Sequence, residues 1–471
     1  MKTIFCTILA IITFSLYAET WTLEQCLLYA ADKNLQIKQA DLNEQLAKSN
    51  EFQSLMQLLT PRLNADGSLS QNYGRSVDPT TYSFVNQKIF TNSLSLTGSI
   101  TLFSGLSQIY NLKQNKMNVE ASETDKKNTF NNVALTITRA YLQILLSKEQ
   151  LKASEAQLIL SEEQFKQAKI LVEVGNVPLG NQLDAEAQLA QDTLNYLVAL
   201  NTVTVAKLSL SILLQLEPQT DFDVVAPIFS LSNNPDVLNE TAESVYASAI
   251  QTQPVIKSAY FRLQSARYRM MAAKGFQSPT INAFVNSRTN YSSGFKEFTS
   301  QIIPNEFDTI GFFSGFPITT QKRIIATNDI AYYEQLTQNI SNTVGVSINI
   351  PILNGWQTRN AIKAAKINYL GATLQQQQTE NQLKQDVYTA YYEAQNALQT
   401  YEAAQKSLNA FKKSLEYNEE RYKIGALNSL QFNTVRTNYA NAEIQEIRAR
   451  YDYVFKIKVL DFYKGNPLTL N

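Results

Sequence analysis

The chain repeats itself at a fixed distance. Gly105, in Leu102-Phe103-Ser104-Gly105, is matched by Gly355 in Ile352-Leu353-Asn354-Gly355; Ala140-Tyr141 is matched by Ala390-Tyr391, Gly175 by Gly425 and Leu189 by Tyr439, each pair 250 positions apart. Pro218 and Pro467 stand 249 apart. An offset this constant, held over more than 100 residues, is the mark of internal duplication. It restricts the fold to two like halves, residues 19–239 and 240–471. Each half reads strand, strand, long helix, tight turn, helix.

The strands alternate. In 63–73, Leu63, Ala65, Gly67, Leu69 and Tyr73 oppose Asn64, Asp66, Ser68, Ser70 and Asn72. In 93–103, Leu94, Leu96, Ile100 and Leu102 oppose Ser93, Ser95, Thr97, Ser99 and Thr101. The second half repeats this over 281–291, with Phe284 out of pattern, and over 343–353, where Val344, Val346, Ile348, Ile350 and Ile352 form the apolar side. Period two means strand. The lengths match the roughly 9 to 11 residues that a tilted strand needs to cross hydrocarbon. Apolar-out, polar-in alternation is the pattern of an outer-membrane barrel, and a half-buried soluble sheet shows it too. The uniformly Ser, Thr and Asn polar face favours the barrel. Four strands cannot close one, so two, three or four copies would share 8, 12 or 16 strands, and a water-filled conduit favours three or more. Segment 74–92 reads as a short loop. Residues 292–341 read as a long one, rich in Phe and Gly, either packed on itself as an Ω-loop or forming a lid or surface patch.

Between the strands and the turns lie two equal spans, Leu106–Val174 and Trp356–Ile424, of 69 residues each, the second interrupted only by Gly371. As helices each would be about 100 Å long. Val387, Tyr391, Ala394, Leu398, Tyr401, Leu408, Leu415 and Tyr422 recur at coiled-coil intervals. Each span turns at a glycine into a second helix, giving hairpins over 106–216 with the turn at 175 and 356–464 with the turn at 425. Shorter helices are expected over 22–59 and 240–275. Laid end to end with the return helices, they match one long helix in length.

Residues 1–18 read as a secretory signal peptide: Lys2, then the apolar Ile4–Leu16, then Ala18 before the cut. Without it the chain keeps 40 basic and 41 acidic residues and a single cysteine, Cys26. The balanced charge supplies no field for nucleic acid, and no intrachain disulfide is available. No later stretch offers 18 uncharged apolar residues, so no transmembrane helix is expected. Histidine is absent, which removes the commonest general base and metal ligand. No phosphate-loop, dinucleotide or paired-cysteine motif occurs. The expectation is a protein that is not an enzyme, with no cofactor and no metal site.

The motif Arg421-Tyr422-Lys423-Ile424-Gly425-Ala426-Leu427-Asn428-Ser429-Leu430-Gln431-Phe432, paired with Phe165 and the stretch Gly175–Leu189 in the first half, resembles the TolC-like outer-membrane factor family. The resemblance covers essentially the whole chain after the leader. It implies a homotrimer in outer-membrane lipid, with a 12-stranded β-barrel of four strands per chain continuous with a long periplasmic α-helical coiled-coil barrel. It implies a passive exit duct of a tripartite efflux or type I secretion system, fed by an inner-membrane pump of the RND or ABC type through a periplasmic adaptor. The turns Val174-Gly175-Asn176 and Ile424-Gly425-Ala426 would be the tips that meet the adaptor. Family gate positions fall on Tyr422, Asn181, Asp184, Gln431 and Thr434; only Asp184 keeps an acidic charge, and Leu427 replaces the family's arginine. A closed state held by neutral hydrogen bonds, Tyr422 to Asn181, is expected. The competing reading is a periplasmic coiled-coil adaptor or scaffold, which would carry one hairpin rather than two.

Overall fold

The computed structural model describes residues 19–77, 82–217, 222–226, 240–466 and 468; the leader over 1–18 and Pro218, Pro227, Pro235 and Pro467 lie outside them. The first half runs β1 (Glu19–Trp21), α1 (Leu23–Lys33), α2 (Leu35–Leu59), β2 (Arg62–Val77), β3 (Phe84–Ser104), α3 (Ser107–Glu173), α4 (Leu179–Leu214) and β4 (Phe222–Val224). The second half runs α5 (Ala242–Thr252), α6 (Pro254–Gly275), β5 (Thr280–Ser292), β6 (Lys296–Phe313), β7 (Phe316–Asp329), α7 (Tyr332–Gln338), β8 (Ser341–Asn349), α8 (Gln357–Lys423) and α9 (Ser429–Lys464). Contacts gather these into two units. One holds the residues up to Lys48, Lys116–Gln264 and those from Leu370 onward; the other holds Ser49–Asn115 and Ser265–Tyr369.

The second unit contains an antiparallel sheet in the order β2-β3-β5-β8. Its register puts Ala65, Leu96, Val285, Val344 and Val346 on one face and Asn64, Thr97, Asn286 and Thr343 on the other. The apolar face is bare: Leu63, Leu69, Val344, Val346 and Ile348 are all exposed. On the polar face neighbouring strands bond side chain to side chain, Ser68 to Ser93 at 2.7 Å, Ser70 to Thr91 at 2.6 Å and Thr101 to Asn282 at 2.8 Å. Phe284 breaks the alternation because its partner is Gly345, where a Cβ would lie 2.7 Å from the ring. The aromatic covers the place of the missing side chain.

Three stretches differ from the sequence reading. β2 and β3 run on past 73 and begin before 93, so most of 74–92 is paired strand, while β8 stops at Asn349, two residues short of Pro351, which has no N–H to give a ladder. Segment 292–341 is neither an Ω-loop nor unstructured. β6 and β7 pair as a hairpin through Ser314-Gly315, both at positive φ, the conformation that matches strand twist. α7 then docks on the end of β5, where Gln335 Nε2 donates to the Ser292 carbonyl at 3.1 Å and Gln335 Oε1 accepts from its N–H at 3.0 Å. The expected helices 22–59 and 240–275 are each broken in two. Asn34 and Gln253 are extended (ψ 129° and 127°) and start α2 and α6, the latter with Pro254 at its first position, where the missing N–H costs nothing.

In the helical unit, α3 and α8 have 67 residues each and α4 and α9 have 36 each. The break at Asn34 meets the end of α4, its Nδ2 donating to the Leu213 carbonyl at 3.0 Å; the break at Gln253 meets the end of α9, its Nε2 donating to the Phe462 carbonyl at 2.9 Å. One core joins Leu23, Cys26, Ile137, Tyr141, Ile144, Leu210 and Leu214, and a second joins Val245, Ala249, Val387, Ala394, Ile457 and Leu460. Tyr141 ties the first core to the short parallel pair β1–β4, its hydroxyl donating to the Val225 carbonyl at 2.6 Å.

By length and composition alone α4 is long and apolar enough to cross a membrane, although Lys207 interrupts its apolar run. Its hydroxyls hide their polarity by bonding back one turn, Thr202 to Val198 O and Ser209 to Val205 O. Val203, Ala206, Leu210 and Leu214 pack inward, while Leu194, Leu197, Val198, Val205 and Ile212 form a bare apolar stripe.

The turn into α3 requires Gly105, at φ 61°, where a Cβ would stand 2.3 Å from the Gly275 carbonyl oxygen; a Cβ on Gly275 would stand 2.5 Å from that of Gly105. Gly105→Ala or Gly275→Ala should therefore abolish folded protein in the membrane fraction. Gly371, inside α8 with open space around it, offers the opposite result. Gly371→Ala should stabilise by about 0.5–1 kcal/mol, read as a rise in the thermal unfolding midpoint.

Candidate functional site at the hairpin tips

Both long helices end in the same backbone device. Gly175, at φ 74°, donates to Val172 O at 3.0 Å while Asn176 donates to Leu171 O at 2.9 Å. Gly425, at φ 77°, donates to Tyr422 O at 3.0 Å while Ala426 donates to Arg421 O at 2.8 Å. These paired bonds close a helix C-terminus on a left-handed residue. The return helices start differently: Pro178 occupies the cap of α4 without a side-chain bond, whereas Asn428 caps α9 by accepting from Gln431 N at 2.8 Å. Val174 and Ile424 are exposed at the tips.

The structure brings some of the expected gate residues together. Ser429 Oγ donates to Asp184 Oδ2 at 3.1 Å, joining the two hairpins. Tyr422 is not bonded to Asn181 in the single chain; its ring lies parallel to that of Phe432, 4.5 Å between centroids. Asn181 donates its backbone N–H to Pro178 O in the first turn of α4, and Thr434 Oγ1 bonds back to Leu430 O. Gln431 lies exposed in the first turn of α9.

Sequence reasoning missed the tightest polar contact between the hairpins. Arg436, only 3% exposed, lies eleven residues past Gly425 on α9. Its Nη1 donates to Gln164 Oε1 at 2.6 Å, and its Nη2 donates to Gln157 Oε1 at 3.0 Å and Ser161 Oγ at 3.2 Å, all on α3. Nη2 also lies 3.5 Å from Asp192 Oδ2 on α4, a carboxylate that Ser161 and Gln188 hydrogen-bond. Burial pulls the Arg436 guanidinium below its usual value, and Asp192 opposes the shift. Arg436 Nε has no partner, and the side chain borders a cavity of about 750 Å³ between α3, α4 and α9. Nothing in the sequence singles these two out: α4 also carries Asp184, Glu186 and Lys207, and α9 carries charges along its whole length.

The family model for outer membrane efflux proteins matches residues 29–214 and 245–461. The chain belongs to the outer membrane efflux protein family. The outer membrane efflux protein BepC of Brucella suis is 21% identical over 366 residues, 77% of this chain and 70% of its own length. The outer membrane protein VceC of Vibrio cholerae superposes with a TM-score of 0.73 at 13% identity, over 95% of this chain and 96% of its own. The CmeC outer membrane channel of Campylobacter jejuni gives 0.72 at 18% identity, over 95% and 86%. This outer membrane efflux protein thus shares the mixed helix-and-strand fold of TolC-like channels and is an outer-membrane protein. The family is one of channels, not of enzymes.

Removing one partner of a buried charge pair strands the other, at a cost of about 3–5 kcal/mol. Arg436→Ala should lower the unfolding midpoint of the purified protein sharply. The double change Arg436→Met with Asp192→Leu, which leaves no charge buried at this contact, should recover most of the loss.

Proposed function

We propose that the protein is the exit duct of a tripartite efflux or type I secretion system, passing substrates from an inner-membrane pump of the RND or ABC type and a periplasmic adaptor across the periplasm and outer membrane. One observation carries this reading: a four-stranded sheet, apolar and bare on one face and polar on the other, whose end strands β2 and β8 each keep an unpaired edge among the described residues. Hydrocarbon cannot satisfy those edges. Three copies would close them into a 12-stranded barrel with the Ser, Thr and Asn face toward water. The bare stripe of α4 would be covered by a neighbouring copy in the helical tube. The equal hairpins, and a family model that matches in two stretches, support an origin by duplication, with like halves 19–239 and 240–471. Residues 1–18 would be the leader that exports the chain.

On this reading Val174, Gly175, Asn176, Ile424, Gly425 and Ala426 form the adaptor-facing tips. Asp184, Gln431 and Thr434 line the closing end. Asp184 is held by Ser429 of the same chain, and a Tyr422–Asn181 bond would have to form between copies. A soluble adaptor or scaffold is disfavoured because its sheet would have no reason to bare Val344, Val346 and Ile348.

Single-particle electron microscopy of protein extracted from outer membranes in detergent tests the duct. A threefold tube ending in a short barrel is expected. A soluble rod without a barrel would overturn the assignment.

A further inference from the structure

Charge is scarce on the polar face of the sheet, and where it occurs away from the sheet's end it falls in one hydrogen-bonded row. Asp66 on β2 pairs with Ser95 on β3, Ser95 pairs with Arg288 on β5, and Arg288 pairs with Ser341 on β8. Direct partners in an antiparallel pair point to the same face, so the carboxylate and the guanidinium flank Ser95 two strands apart, about 10 Å. The neighbouring rows are neutral: Asn64, Thr97, Asn286 and Thr343 on one side, Ser68, Ser93 and Asn290 on the other. The remaining charge on this face, Arg62, lies where β2 begins.

The rows also differ in how they are satisfied. Ser68 bonds Ser93, and Asn286 Nδ2 donates to Thr97 Oγ1 at 3.4 Å. Asp66 and Arg288 are both exposed, and among the described residues neither joins an ion pair. Elsewhere in the chain exposed acids and bases do pair, as Lys322 with Glu306 across β6–β7 at 2.9 Å. A carboxylate and a guanidinium left open on a wall of short hydroxyl and amide side chains produce a local field directed along the wall.

We propose that Asp66 and Arg288 form a charge-balancing station of the barrel lumen, a pair that passes solutes of either sign and orients those carrying both. The inference rests on the duct reading, since it needs the polar face to line water. Three copies would alternate the two signs around the lumen, and loss of either member would leave a ring of one sign.

Thiol labelling reads the field at Ser95, between the two charges. The protein already suits it: Cys26 is fully buried and its thiol is pushed up to about 12 by burial, so it contributes little background. Ser95→Cys, in outer-membrane vesicles, is reacted with a cationic and an anionic methanethiosulfonate of similar size. With both charges present the two rates should be comparable. Arg288→Gln should raise the cationic-to-anionic rate ratio by roughly threefold or more, Asp66→Asn should lower it by as much, and the double variant should return it, with shifts shrinking at high salt. Rapid labelling of Ser95→Cys with a ratio that neither variant moves would overturn the station and leave the duct intact. Protection of Ser95→Cys together with rapid labelling of Leu94→Cys, on the opposite face, would overturn the lumen assignment itself.

Discussion

A strand edge carries N–H and C=O groups that hydrocarbon cannot bond, and this sheet ends on two such edges. The apolar face needs lipid or protein against it, the polar face needs water, and both edges need partners. None of these needs is met within one chain: Leu63, Leu69 and Val346 stay bare, and β2 and β8 have no outer neighbour among the described residues. The outer membrane, where the family places the chain, offers lipid to the apolar face. The helical unit repeats the logic, since α4 buries one apolar side and leaves the other uncovered.

Within the helical unit, irregular residues fix the long elements in place. Asn34 and Gln253 interrupt helices and spend their amides on the terminal carbonyls of α4 and α9, groups that a helix end would otherwise leave without partners. The same two-bond closure ends α3 and α8. Between the hairpins, Arg436 reaches from α9 across to α3 and α4. Its geometry is that of a clasp: four side chains from two helices converge on one guanidinium.

How much of this was legible in the sequence depended on whether the cause was local. Strand alternation and the turns at Gly175 and Gly425 depend on neighbours in the chain, so they could be read directly. The segment 292–341 was misread because β6 alternates poorly: Ile302, Pro304, Phe307 and Ile310 keep no strict period of two, and its ladder with β7 shifts register twice. Gly105 carries a repeat in the second half, but its closest neighbour is Gly275, 170 positions away, which no pattern joins to it. The candidate site was half visible. Asp184 stood out as a charge near a turn, whereas Asp192 and Arg436 matter through each other, and the stacking of Tyr422 on Phe432 depends on a partner ten residues on across the turn.

The equality of α3 and α8, at 67 residues each, couples the histories of the two halves. A seven-residue deletion in α3 alone would draw its turn back by about 10 Å and carry Asp184 away from Ser429. The same deletion in α8 would do the reverse. Length can change in this protein only when both arms change together by whole turns, so insertions and deletions in its descendants should come in matched pairs, whereas single substitutions along the exposed helix faces remain free to accumulate one at a time.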